Sequence, residues 1–227
     1  MKIGILQTGL APDELKPEMG DYGDMFQRLL DGHGFTFDVY KVVENDFPTG
    51  VDAADGWLIT GSKHGAYEDH PWIPPLEEFI RDCYADGRPM IGVCFGHQII
   101  AQAMGGKVEK FAGGWAAGRQ EYTLNGETVA LNAWHQDQVT QLPAQATVVG
   151  SNDFCENAAL LYGDKIFTVQ PHPEFTAGFI EGLINTRGKG VVPQPILDAT
   201  TAKLSIPLAD RKVANQMAEF LLKGQKK

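Results

Sequence analysis

Cysteine, long apolar runs and positive charge are all scarce in this chain. Cysteine occurs only at positions 83, 94 and 155 of 227 residues. That odd count lacks the paired spacing of a zinc site or a disulfide framework and fits a reducing compartment. No apolar run approaches the roughly 18 residues a membrane span needs, and no signal-peptide pattern precedes the first apolar strand. The expectation is a cytoplasmic protein with no membrane partner. Nineteen Lys and Arg stand against 29 Asp and Glu, a net charge of −10. That balance argues against nucleic acid, whose phosphates call for clustered cations. Internal repeats and low-complexity tracts are absent too. What remains is an ordinary globular composition, long enough to bury one substantial core in one domain with a small addition.

Strand and helix patterns alternate through the first half. Lys2 to Gln7 reads as a strand. Tyr22, Phe26, Leu29 and Leu30 recur at helical spacing, and Gly32 and Gly34 end that helix. Phe35 to Val43 and Gly56 to Thr60 read as the next strands. Pro74 to Asp86 follows as a helix with proline in its first turn. Met90 to Val93 is a fourth strand, and Gly96 to Met104 a helix. This alternation predicts an α/β fold, an open and mostly parallel sheet with helices on both faces. Residues 107–170 read as a small antiparallel, strand-rich portion, with turn signals at Asn125-Gly126 and Gly163-Asp164. Arg187 to Pro207, rich in Gly, Pro and Thr, reads as a connection. Val213, Met217, Phe220 and Leu221 then mark an amphipathic terminal helix. Cys83 completes the helical stripe Leu76, Phe79, Ile80 and is expected in the core. Cys155, in the turn-rich stretch 151–157, is expected to be passive, with a reactive surface thiol as the alternative.

Residues 92–96 carry the strongest chemical signal: Gly92-Val93-Cys94-Phe95-Gly96 joins an apolar strand to a helix. Glycine two residues either side of Cys94 fits a sharp strand-to-helix turn that presents the sulfur, a nucleophile elbow with cysteine in place of serine. A sulfur there faces the free N–H groups and positive dipole end of a helix, which favour the reactive thiolate. Downstream, Ile166-Phe167-Thr168-Val169 reads as a buried strand. His172-Pro173-Glu174 lies just past its end. In an extended segment the i, i+2 spacing points the imidazole and the carboxylate the same way, and Pro173 biases His172 toward that conformation. A carboxylate beside an imidazole can hold its tautomer and stabilise its cation. Nucleophile, base and orienting group together make a covalent-catalysis set. Trp134-His135-Gln136-Asp137 adds a polar cluster suited to gripping a polar substrate.

These segments together resemble the class I glutamine amidotransferases. The matching runs are residues 92–98, 134–137 and 170–174, with a weaker match at Leu58-Ile59-Thr60-Gly61-Ser62. In this last run Ser62-Lys63 replaces the Gly-Pro that the family often carries. The resemblance implies a flavodoxin-like catalytic domain over residues 1–186; residues 187–227 read as a connection and a C-terminal helix expected to pack on that domain. It implies Cys94 as nucleophile, His172 as base and Glu174 as its orienting partner. The N–H of Phe95 and one from Gly61-Ser62 form the implied oxyanion hole. Gln98, His135, Gln136 and Asp137 are the implied substrate-binding residues.

The expected chemistry is hydrolysis of the side-chain amide of glutamine or a γ-glutamyl compound through a thioester. It needs no cofactor and no metal, and His64 and His70 show no metal-site spacing with a carboxylate. Gly114-Trp115-Ala116-Ala117-Gly118 and the Cys-Phe-Gly-His-Gln elbow also resemble the stand-alone γ-glutamyl peptidases of the same superfamily. The sequence runs to Lys226-Lys227 with nothing resembling a synthetase domain in it, so a fused synthetase is not expected. The alternatives are a glutaminase subunit feeding a separate synthetase and a non-catalytic binding protein that kept the fold. A glutamyl small molecule is the expected ligand. A synthetase subunit and a second copy of the chain are the protein partners considered.

Overall fold

The computed structural model describes residues 1–224; Lys226 and Lys227 lie outside the described residues. Strand β1 (Lys2–Leu6) is buried from Ile3 onward, as befits a strand covered on both faces. A single turn, α1 (Lys16–Met19), leads to α2 (Tyr22–Leu29). Helix α2 opens on a reciprocal cap in which Asp21 accepts from backbone N–H groups and Asp24 accepts from the Asp21 N–H at 2.8 Å. Strand β2 (Thr36–Tyr40) is shorter than the sequence suggests, because a 3₁₀ turn takes over at Val42–Glu44. There follow β3 (Gly56–Ile59), α3 (Ile73–Asp86), β4 (Met90–Val93) and α4 (Phe95–Ala103). The strand-rich stretch holds β5 (Lys107–Lys110), β6 (Ala116–Leu124), β7 (Glu127–His135), β8 (Asp137–Gln141), β9 (Thr147–Ser151), β10 (Ala159–Tyr162) and β11 (Ile166–Val169). Helices α5 (Ala177–Leu183), α6 (Gln194–Thr201) and α7 (Asp210–Gly224) complete the described chain.

The main sheet runs β2-β1-β3-β4-β11-β10-β9-β6-β7, with β5 and β8 paired separately. It is parallel from β2 to β11 and antiparallel beyond. This is the α/β sheet expected from the alternation. Most of the strand-rich portion extends that sheet rather than forming a separate layer. The Asn125-Gly126 signal is the β6–β7 turn, with both residues at positive φ of 51° and 83°.

Alternation along the strands divides the core. Ile3, Ile5, Leu58, Ile91 and Val93 face one side, against Phe26 of α2 and Val213, Met217 and Leu221 of α7. Leu6, Trp57, Ile59 and Met90 face the other, against Leu76, Ile80 and Cys83 of α3 and Ile99 of α4. Cys83 is thus a core residue, and Cys155 is buried as well. Residues 187–207 differ from expectation. They contain α6, with Pro195 inside its first turn, where the missing N–H costs no helical hydrogen bond. Helix α6 packs on β6, where the Thr200 hydroxyl donates to the Ala117 carbonyl at 3.1 Å.

Strand β4 lies between β3 and β11, parallel to both, with Ile59 opposite Gly92 and Val169 opposite Val93. The carboxyl ends of these three strands therefore lie side by side. They deliver residues 60–62, 94 and 170–174 to one edge of the sheet, where ligands of open α/β folds bind.

Candidate active site

The turn at Cys94 is strained. Its φ of 53° and ψ of −102° fall outside the regions that L-residues favour. Three backbone bonds hold it there. The Cys94 N–H donates to Val169 O at 2.9 Å, Gln98 N–H to Cys94 O at 3.0 Å, and Gly96 N–H to Thr60 O at 3.1 Å. The flanking glycines are required by space. A Cβ on Gly96 would lie 2.3 Å from the Ile59 carbonyl oxygen, and one on Gly92 would lie 2.7 Å from the Gly96 backbone. β3, β4 and α4 meet too closely for any side chain. Phe95 opens α4, so its N–H has no carbonyl within the helix to bond. Its side chain points away and packs on Trp72, ring centroids 5.5 Å apart.

His172 is pinned from several sides. Its N–H donates to Asn132 O at 2.8 Å, and its ring lies parallel to Phe175 at 3.9 Å. Nδ1 is 2.7 Å from Oε1 of Glu174, leaving Nε2 as the nitrogen for Cys94. The His–Glu contact is as expected, but its backbone route is not. Residues 173–174 form a turn rather than an extended segment. Burial works against a charged His172 ring. The Glu174 carboxylate, the Cys94 sulfur and hydrogen bonds to both outweigh it and push the ring up to about 10. Gly61 completes the grouping: a Cβ there would lie 2.9 Å from His172 Cε1 and 3.7 Å from Cys94 Cβ. A sulfur, an imidazole and a carboxylate in this sequence can share a proton and form a covalent intermediate.

A cleft of about 610 Å³ opens over this group. Cys94, His172, Ser62, Gln98, His135, Gln136 and Asp137 all line it, and Glu174 lies behind His172. The Gln98 amide nitrogen is already engaged, donating to Asp137 O at 2.9 Å and Gln170 Oε1 at 3.0 Å. Burial holds His135 down at about 4 and His97, which bonds Thr168 Oγ1 at 2.8 Å, at about 3. Both rings are therefore neutral at ordinary pH, unlike His172. Burial raises the Asp137 carboxyl, and its partner Tyr67 is pushed up to about 12, by burial and then by the Asp137 charge.

The sequence reading passed over part of the wall. Arg187 follows α5, donating to Leu10 O at 2.7 Å and to the Tyr22 hydroxyl at 3.2 Å. Lys189 lies just beyond. With Lys63 and Lys110 they give the lining four cations against two acids, Glu68 and Asp137, so this part of an acidic protein suits an anionic ligand. No periodicity marks residues 187 and 189; only the fold brings them here. Glu68 was also missed. Its Oε2 lies 2.7 Å from His70 Nε2 and 3.3 Å from His64 Nδ1, so these histidines do share a carboxylate, contrary to the sequence reading. A turn makes the meeting, with Glu68 N–H donating to Gly65 O at 3.1 Å.

Residues 19–182 match the family described as Glutamine amidotransferase class-I. Among similar proteins, γ-glutamyl peptidase 3 of Arabidopsis thaliana is 27% identical, over 92% of each chain. A glutamine amidotransferase-like protein of Schizosaccharomyces pombe is 30% identical, over 97% of this chain and 98% of its own. A solved glutamine amidotransferase structure from Methylobacillus flagellatus superposes with a TM-score of 0.77 at 22% identity. It covers 99% of this chain and 94% of its own, and that likeness bears on the fold. No described helix is long and apolar enough to cross a membrane.

Proposed function

The chain belongs to the class-I glutamine amidotransferase family, and from that premise we propose that it hydrolyses the side-chain amide of glutamine or of γ-glutamyl peptides through Cys94, His172 and Glu174. The observation that carries this reading is the buried Glu174–His172 pair beside a cysteine held in a strained elbow.

With its proton on His172, the Cys94 sulfur attacks the γ-carbonyl carbon, and the carbonyl electrons move onto oxygen. The Phe95 N–H receives this oxyanion together with the Ser62 N–H. The second assignment is supported by the Gly61 carbonyl, which accepts from the Thr60 and Thr8 hydroxyls at 3.0 and 3.3 Å in the interior. In a planar trans peptide the N–H points opposite to the C=O, so the Ser62 N–H is aimed at the cleft that Ser62 lines. The tetrahedral species collapses, and His172 Nε2 gives its proton to the departing amine. Water then attacks the γ-glutamyl thioester as His172 takes a proton from it, and glutamate leaves.

On this reading Thr60 is a positioning residue. Thr60→Val should lower kcat by a factor approaching the roughly 100-fold that losing one oxyanion donor costs, with KM little changed. Thr60→Ser should restore it. Alkylation of Cys94 by iodoacetamide, which builds no oxyanion, should keep its rate in both variants. An equal fall in alkylation would point to general distortion of the elbow instead.

The cleft favours γ-glutamyl peptides over free glutamine. It is sized for a ligand larger than one amino acid, and Arg187, Lys189, Lys63 and Lys110 suit a second carboxylate on the leaving part. The γ-glutamyl peptidase names among its relatives support the same reading. The experiment is glutamate release by the purified chain from glutamine and from a panel of γ-glutamyl peptides. Release from peptides without any partner is expected. No release from any substrate, with strong activation by an added synthetase, would replace this reading with that of a glutaminase subunit.

A further inference from the structure

At the rim of the cleft, the segment between β3 and α3 gathers three groups of metal-ligand type. We propose that His64, Glu68 and His70 form a binding site for one divalent transition-metal ion of the zinc, cobalt or nickel class. One donor atom from each lies within 4.8 Å of the others, close enough for small side-chain rotations to bring all three onto an ion at the roughly 2.0–2.2 Å that zinc takes with nitrogen and oxygen. Two imidazoles and one carboxylate suit borderline transition metals; magnesium and calcium take oxygen ligands.

The rings already aim at a common point. His64 Nδ1 and His70 Nε2 both face Glu68 Oε2, at 3.3 and 2.7 Å. As bare hydrogen bonds, this arrangement needs a proton on each facing nitrogen. With those nitrogens unprotonated, it is a ligand set. The rings are also preorganised from behind. Trp72 stacks on His70 at 5.6 Å with 11° between planes, and meets His64 edge-on at 5.9 Å. The His64 N–H donates to Ser62 Oγ at 3.2 Å, tying the site to the loop that borders Cys94. Such fixed surroundings keep donors oriented. Three protein ligands leave a tetrahedral ion one position for water, and His64 and Glu68 line the cleft, so the ion would sit at the cleft wall.

The test uses the full chain carrying Cys94→Ala, so that the cleft thiol cannot take the metal. Co²⁺ is titrated and followed by visible absorption, and Zn²⁺ by calorimetry. The expected result is one equivalent bound, with the d–d bands of a low-coordinate nitrogen and oxygen site and a rise in melting temperature. Glu68→Gln and His70→Ala should each weaken binding by about tenfold or more, since even outer-shell losses reach that size. Both replace partly exposed side chains, and circular dichroism checks that each variant is folded. Absence of saturable binding in the micromolar range, or binding unchanged by His70→Ala, overturns the proposal. So does binding found only when Cys94 is present, which would assign the metal to Cys94 and His172.

Discussion

In the Cys94→Ala variant, glutamate release falls to the detection limit, a loss on the order of 10⁴-fold or more, as expected when a covalent nucleophile is removed. In the unmodified protein, a glutamine analogue with an electrophile at its side-chain carbon gives a single adduct, which peptide mass spectrometry maps to residue 94. The other two thiols are poor competitors for physical reasons. Both are buried, and burial pushes Cys155 up to about 12 and raises Cys83 further still, so neither supplies thiolate. An adduct at Cys83 or Cys155 with Cys94 unmodified would refute the assignment. The variant has a second readout. The charge and hydrogen bond of Cys94 both raise the His172 pKa, so the imidazole titration, followed by NMR, moves to lower pH when the sulfur is gone.

His172→Ala is expected to be as inactive as Cys94→Ala, because residues that act as a unit lose nearly everything with either partner. Glu174→Gln keeps the shape and a hydrogen bond but loses the charge that supports the imidazolium. It should retain measurable turnover, lowered roughly 10²-fold or more. The pH dependence has a definite sign. The ring stands at about 10 against an ordinary value of 6.5, so it is protonated at neutral pH and loses that proton near pH 10. Peptide hydrolysis, which needs the proton for the leaving amine, should be flat through neutrality and fall as pH rises through about 10. In Glu174→Gln the fall should begin at lower pH. Stability follows the same sign: this proton's contribution is fully present below 6.5 and is lost as pH climbs through the folded-state value. In His172→Ala that alkaline slope disappears. Near-normal hydrolysis by His172→Ala would place the base elsewhere. His135 and His97 are poor replacements, since burial holds both neutral.

What the sequence determined by itself is short-range. The glycines at 92 and 96 mark a turn with no room for side chains, and the apolar runs before Cys94 and His172 mark strand ends. The alternation of strands and helices is enough to imply the parallel sheet. Each of these signals is written within a few neighbouring residues, because backbone conformation and periodicity are local properties. Two local readings missed their backbone. The Pro173-Glu174 turn makes the contact that an extended segment was expected to make, and residues 194–201 form a helix inside a stretch that was expected to be a connection. Tertiary structure decided everything that depends on convergence. Placing β11 next to β4 is what sets His172 beside Cys94 across 78 positions of sequence. The turn before α3 folds Glu68 between two histidines, and the segment after α5 swings Arg187 and Lys189 into the cleft wall. Sheet register and packing fix these distances through space, and residues far apart in the chain carry no local mark of where they will meet.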